Sequence, residues 1–310
     1  MATGDRIRQL DVGLDGLDGA IGSTLLVGDE VVLVDPGPSS SLDRLEERAE
    51  AAEVPLHEVR HLLLTHVHLD HAGATGHLAS RYPKLTVHLH EDAAEHLVDP
   101  TRLVASTRRT FGDAHDRLWG EVRPVPTHRI RGWRPGDRGP LSWLRALPTP
   151  GHAGHHLSYL DERDGTLVAG DALGILLAEE APVHPATPPP GVDLEAWLAT
   201  LDEISAVGPE RAAWSHFGIH ANPVGRAGEL GEALIALFRR VRTALERGDA
   251  YADADGEAFD GETRRTLRQW RGDDVDPYFD AFAASTDYAG MRRFATRNPG
   301  WSIPDTWRNE

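Results

Sequence analysis

Cysteine is absent from the 310 residues, which excludes disulfides, thiolate metal ligands and a cysteine nucleophile. Lysine is almost as scarce: Lys84 is the only one, and 32 cations against 49 acids leave a formal net charge of -17. So acidic a chain repels phosphate backbones and anionic lipid, so neither nucleic acid nor a membrane is expected as a partner. Long hydrophobic runs are also missing, with nowhere the roughly 18 apolar residues that a membrane span needs. The N-terminal stretch "MATGDRIRQLDVGLDGLDGA" has neither the apolar core nor the small-residue cleavage pattern of an export signal, so a cytoplasmic location is expected. There is no internal repeat and no long low-complexity segment, and the oligomeric state is left open.

What is present is a series of short apolar runs: "STLLV" (23–27), "VVLVD" (31–35), "HLLLTH" (61–66), "LTVHLH" (85–90), "LRALPT" (144–149), "LSYL" (157–160), "TLVAGD" (166–171) and "RAAWSH" (211–216). Each is rich in Val or Leu and bounded by Gly, Pro or Asp, the pattern of a buried strand. Helical spacing lies between some of them. From Ser41 to Ala52, Leu42, Leu45 and Ala49 share one face; from Asp193 to Val207, Leu194, Trp197, Leu198, Leu201 and Ile204 do so. Strands alternating with helices predict an α/β fold of two sheets covered by helices. From about residue 226 the strand signals stop, and "ELGEALIALFRRVRTALERG" opens a helical C-terminal region ending near residue 310. The proline cluster "PVHPATPPPG" (182–191) reads as an ordered loop crossing the surface, because proline lacks the donor that a helix or central strand requires.

The chemistry concentrates in "LLLTHVHLDHAGATG", where His66, His68, Asp70 and His71 follow a run of leucines. Two residues apart on extended chain, His66 and His68 project to one side, and the turn after them brings Asp70 and His71 alongside. Imidazole and carboxylate suit zinc, iron or manganese at neutral pH. His152 in "LPTPGHAGHH", Asp171 in "TLVAGD" and His216 in "AAWSHFG" also fall at strand ends, where a rigid sheet holds functional loops. His61, His77, His88, His90 and His96 are expected on the surface or in loops.

Taken together and in this order, "THVHLDHAG", "TPGH", "AGD" and "SHFG", with "VDPG" (34–37) before the first helix, resemble the metallo-β-lactamase superfamily over roughly residues 20–220. The resemblance implies an αββα sandwich with a two-metal site at one edge of its sheets, in a domain spanning residues 1–225, with the helices of 226–310 packing on the substrate cleft. It places His66, His68 and His152 on one metal, Asp70, His71 and His216 on a second, and Asp171 between them. Asp35 and His156 would support these ligands without binding metal. Two zinc ions are the expected cofactors, with iron or manganese as substitutes. Two such ions about 3.5–4 Å apart depress the pKa of a shared water toward neutrality, giving a hydroxide nucleophile. Asp70 or that hydroxide would handle the proton.

The superfamily's branches share this site and differ around it. The acidic surface argues against nuclease members; the missing export signal and the presence of Asp171 argue against antibiotic-degrading ones. "TPGHAGHHLSYL" and the helical C-terminal region are similar to glyoxalase II (hydroxyacylglutathione hydrolase), which implies hydrolysis of a thioester or related ester of a small molecule. The basic glutathione site of that enzyme is not found. Loops from Thr101 to Trp119 and from Ala181 to Gly191, with Arg102, Arg108, Arg109, Phe111 and Trp119, are placed around the cleft. The alternatives are a lactonase of the acyl-homoserine-lactone type and a mono-iron persulfide dioxygenase, the latter separable by metal count.

Overall fold

The computed structural model describes residues 6–134, 137 and 141–307. Its described residues form strands β1 (Ile7–Asp11), β2 (Gly22–Leu26), β3 (Val31–Val34), β4 (Val59–Leu63), β5 (Thr86–His90), β6 (Ile130–Trp133), β7 (Leu144–Pro148), β8 (Leu157–Asp161), β9 (Thr166–Gly170), β10 (Arg211–Trp214) and β11 (Gly218–Ala221). The helices are α1 (Leu42–Ala51), α2 (Leu69–Ala72), α3 (Thr75–Arg81), α4 (Ala94–Val98), α5 (Thr101–Phe111), α6 (His115–Trp119), α7 (Leu194–Val207), α8 (Pro223–Glu246), α9 (Asp249–Arg271), α10 (Val275–Ala281) and α11 (Ala284–Arg297). None of the helices is long and apolar enough to cross a membrane.

Two sheets result, in the order β1-β2-β3-β4-β5-β6 and β11-β10-β9-β8-β7. Alternation along each strand decides what each face covers. In β3, Val32 and Val34 join Ile7, Leu26, Leu63, Leu157, Tyr159 and Val168 in the core between the sheets. Leu33, between the two valines, turns outward to a second core with Leu45 of α1. β9 repeats the division, Val168 facing inward and Leu167 and Ala169 facing the helices. With both sheet faces covered, the layers are the αββα sandwich, and each fully buried Val or Leu contributes about 1.5–3 kcal/mol to holding them.

Strand direction gathers the site. β3, β4 and β5 are mutually parallel, while β7 runs antiparallel to β8 and β8 to β9, so β7 points the same way as β9 and its parallel neighbour β10. The loops leaving β3, β4, β7, β9 and β10 therefore emerge at one edge. The edge is closed by main-chain bonds between the sheets: Leu157 N–H donates to the Thr65 carbonyl at 2.8 Å and Gly22 N–H to that of Ser215 at 2.7 Å.

Three expectations are corrected here. His61, His88 and His90 lie in β4 and β5, not in loops, and His88 is buried between the sheets. Its Nε2 lies 3.0 Å from His61 Nδ1, and its ring meets Trp133 edge-on. Burial first, then the neighbouring His61, pushes the His88 imidazole down to about 3, so it sits neutral in an apolar layer. Residues 101–119 are mainly helical, in α5 and α6, because packing of Leu103, Phe111 and Ala114 on the main core outweighs the indifferent propensity of the three threonines. Finally, the first half of the proline-rich segment does not cross the surface: Val183 to Thr187 are buried under α8 and α11, while Pro190 and Gly191 are exposed.

Candidate metal centre

β4 ends at Leu63, and two residues later Thr65 opens the loop carrying His66 and His68; the single turn of α2 then swings Asp70 and His71 back toward them. His66 Nε2 lies 3.0 Å from His68 Nδ1, which is 2.9 Å from His152 Nε2. A tetrahedral ion with metal–nitrogen bonds of about 2.0–2.1 Å places its ligand atoms about 3.3 Å apart, so two sides of this triangle are already near that spacing, and all three nitrogens lie within 4.8 Å of one another. A second group lies beside it. Asp70 Oδ2 is 3.4 Å from both His71 Nε2 and His216 Nε2.

Asp171 stands between the two groups and divides its oxygens. Oδ2 is 3.3 Å from His152 Nε2 and 3.9 Å from His66 Nε2. Oδ1 is 3.3 Å from His71 Nε2 and 3.8 Å from His216 Nε2. All seven residues thus converge, in three overlapping sets able to hold a cation.

The remaining imidazole nitrogens fix which atom faces the site. His152 Nδ1 is 2.8 Å from the Ala186 carbonyl and His216 Nδ1 is 2.8 Å from that of Ala20. A carbonyl only accepts, so each Nδ1 carries the proton and each Nε2 presents a lone pair inward. Asp35 does the same for His71, with its Oδ2 2.9 Å from His71 Nδ1. That carboxylate also accepts from Thr65 N–H at 2.8 Å and from the Thr65 hydroxyl at 2.6 Å. Its proton so committed, the Thr65 oxygen accepts from His66 Nδ1 at 3.0 Å. His156 faces neither group: Nδ1 meets Thr149 Oγ1 at 2.8 Å, and Nε2 accepts the Asp171 main-chain N–H at 3.1 Å.

A cation fits this donor set. His71 Nε2 and Asp171 Oδ1 are buried and have no hydrogen-bond partner, although they lie 3.3 Å apart. With the His71 proton on Nδ1, lone pair opposes lone pair, an arrangement that costs energy unless positive charge sits between them. The titration of the group agrees. Burial drives His66 well below its ordinary value and His68 down to about 3, with the neighbouring imidazoles adding to it. Both are therefore neutral and ready to coordinate. Burial acts the same way on His71 and His216 but is outweighed by Asp171 and Asp70, together with Asp35 for His71, so both are raised. Burial would raise Asp70 and Asp171, yet the facing imidazoles hold both well below the usual carboxylate range. The carboxylates draw in positive charge, which a proton supplies when no metal does.

Above the site lies a cleft of about 470 Å³. His68, Asp70, His152, Asp171 and His216 line its base; Leu103, Phe111, Trp119, Ile175, the prolines 188–190 and Phe282 supply apolar walls. Arg102 and Arg109 line it too, whereas Arg108 turns outward to Asp116 at 2.6 Å, outside the position expected for it. His96 and His155 line the cleft without joining the seven. Three contributors escaped sequence reasoning: Thr65, although it stands inside the histidine motif, and the carbonyls of Ala20 and Ala186, which carry no residue-type signal at all.

The fold and this site define a class, and comparison with known proteins agrees. The model of the metallo-beta-lactamase superfamily matches residues 17–216, and the chain belongs to that superfamily. It is 32% identical over 143 residues to the uncharacterized protein YobT of Bacillus subtilis, covering 46% of this chain and 57% of the relative. It is 22% identical over 227 residues to the atrochrysone carboxyl ACP thioesterase nsrC of Aspergillus novofumigatus, covering 73% of this chain and 56% of that one. The chain thus spans little more than half the length of either relative. Among solved structures, it is similar to the metallo-beta-lactamase family protein TTHA1429 from Thermus thermophilus, with a TM-score of 0.66 and 23% identity, over 96% of this chain and 95% of that one. At that identity the likeness is one of fold.

Proposed function

We propose that the chain is a binuclear metal-dependent hydrolase that cleaves a thioester or related ester of a small, largely apolar acyl substrate. The observation that carries this reading is the division of Asp171, with one carboxylate oxygen toward each nitrogen group. On this reading His66, His68 and His152 would hold one ion and Asp70, His71 and His216 the other, with the Asp171 carboxylate facing both groups. Two divalent ions there, zinc by preference, supply Lewis acidity and lower the pKa of water toward neutrality. The chain's own groups do the rest. Asp70, ionised and facing the base of the cleft, accepts and passes on the proton released as water is activated. Leu103, Phe111, Trp119 and Phe282 hold an acyl group and exclude bulk water, while Arg102 and Arg109 suit an anionic carrier on the leaving side. The thioesterase name of the fungal relative supports the choice of bond. The complete Asp70, His71 and His216 group favours two ions over the single iron of a dioxygenase.

The test is a panel of thioesters, lactones, phosphodiesters and β-lactams given to zinc-loaded protein, with metal counted per chain. The expected result is near two zinc ions and turnover of thioesters, with His66→Ala losing metal and at least about a hundredfold in turnover. Activity confined to phosphodiesters, one iron per chain, or full turnover by the His66 variant overturns the proposal.

A further inference from the structure

The carbonyl that orients His152 belongs to Ala186, in the buried segment between β9 and α7, and that segment is held from the C-terminal helices. Next to Ala186, Thr187 N–H donates to Asp287 Oδ1 at 2.7 Å and the Thr187 hydroxyl donates to the Asp287 main-chain carbonyl at 2.8 Å. Two residues before Ala186, His184 Nε2 lies 3.0 Å from Asp287 Oδ2. Asp287, 6% exposed, therefore brackets Ala186 from both sides. Its helix comes unusually close, because Gly290, one turn on in α11, packs against the Thr187 carbonyl so tightly that any Cβ there would collide with it. α8 fastens the other end of the segment. Glu229 accepts from Val183 N–H at 2.9 Å, and Arg226 donates to the Ala181 carbonyl at 3.1 Å.

We infer that the C-terminal helices set the metal affinity of the His66, His68 and His152 group, with Asp287 as the positioning residue that aims the Ala186 carbonyl at His152. The bonded path runs from Asp287 through the 184–187 backbone to His152 Nδ1, and holds the ring with Nε2 directed at His66 and His68. The second group is oriented without Asp287, His71 by Asp35 and His216 by the Ala20 carbonyl. A carbonyl that drifts lets the imidazole rotate or change tautomer, and loss of such support weakens metal binding about 10–100-fold. The effect must be selective for one group.

The inference rests on the two-metal reading only through the assignment of His152, and the experiment separates the two. Zinc affinity is measured by chelator competition for the wild type, Asp287→Ala and Asp287→Asn, each checked for native circular dichroism. Asp287→Ala should weaken one of the two equivalents by at least about tenfold and leave the other unchanged. Asp287→Asn, which keeps an acceptor oxygen for Thr187 N–H, should restore most of that affinity. If Asp287→Ala does not fold, the nearly isosteric Thr187→Val removes only the hydroxyl bond and should give a milder form of the same selective loss. Equal weakening of both equivalents marks a general structural role and overturns the inference, as does unchanged affinity for both. A wild-type stoichiometry of one would sink the two-metal reading, yet leave the Asp287→Ala comparison readable at that one site.

Discussion

At the scale of single residues, Asp35 is the hinge of the second group. It is 2% exposed, adopts a left-handed φ of 51°, and gathers three donors, from Thr65 N–H, the Thr65 hydroxyl and His71 Nδ1. Asparagine tolerates that backbone conformation, so Asp35→Asn is expected to fold. Its side-chain oxygen can still serve Thr65 N–H, but the amide nitrogen then faces His71 Nδ1 and donates to it. That moves the His71 proton to Nε2, the atom directed at Asp70 and Asp171, and blocks it as a ligand. Zinc affinity of one equivalent should fall about 10–100-fold with little change in fold, read by chelator competition. Unchanged affinity would mean that Asp35 does not choose the tautomer. This is the mirror image of the Asp287 effect, and the two variants together should weaken different equivalents.

At the scale of elements, the end of β9 is fitted against the β4 loop with no room to spare. Gly170 has a φ of 56°, and a Cβ there would lie 2.7 Å from both His156 Nε2 and Thr65 Cβ. Gly170→Ala therefore adds backbone strain to overpacking, and should cost about 2–4 kcal/mol, measured by denaturant unfolding of the metal-free protein. Because Asp171 follows directly and its N–H is held by His156, the same change should also displace the carboxylate that faces both groups. A loss below about 0.5 kcal/mol would show that the strand end yields freely. The same strands explain what was legible in sequence. β3, β4 and β9 announce themselves by dense Val and Leu, since strands buried on both faces carry no polar alternation. β1, β6 and β11 escape notice: "IRQLD", "IRGW" and "GIHA" are edge strands whose short, mixed sequences carry half-buried or exposed polar positions among few apolar ones. The seven converging residues were readable because five are histidines in short motifs that follow strand-like runs, with Asp70 inside one of those motifs and Asp171 directly after another run. The groups that orient them were not, being main-chain carbonyls or, like Asp287, one acid among 49 acidic residues on a helix more than a hundred positions away.

At the scale of the whole molecule, the site is where every part of the structure meets. The first sheet supplies Asp35 and the His66–His71 loop, the second His152, Asp171 and His216. The C-terminal helices reach in from outside: the Phe282 ring stands 5.0 Å from that of His216, and Arg271 donates to the Asp18 carbonyl at 2.7 Å. A cation held at that junction couples both sheets and the helices, because it binds the native arrangement and not the unfolded chain. At a thousandfold excess of free metal over Kd the linkage is worth about 4 kcal/mol, which for a chain of this length corresponds to about 6 °C in Tm. Removing metal by chelation and dialysis should therefore lower Tm by about that amount, with zinc restoring it, as followed by differential scanning calorimetry. The shape of the transition carries the further information. Since α8, α10 and α11 share one continuous core with both sheets, the loaded and metal-free proteins should each unfold in a single cooperative step. A metal-free protein that melts in two steps, with the later one insensitive to zinc, would instead show the C-terminal helices to be a separate folding unit, and with that the path from Asp287 to His152 would lose its mechanical basis.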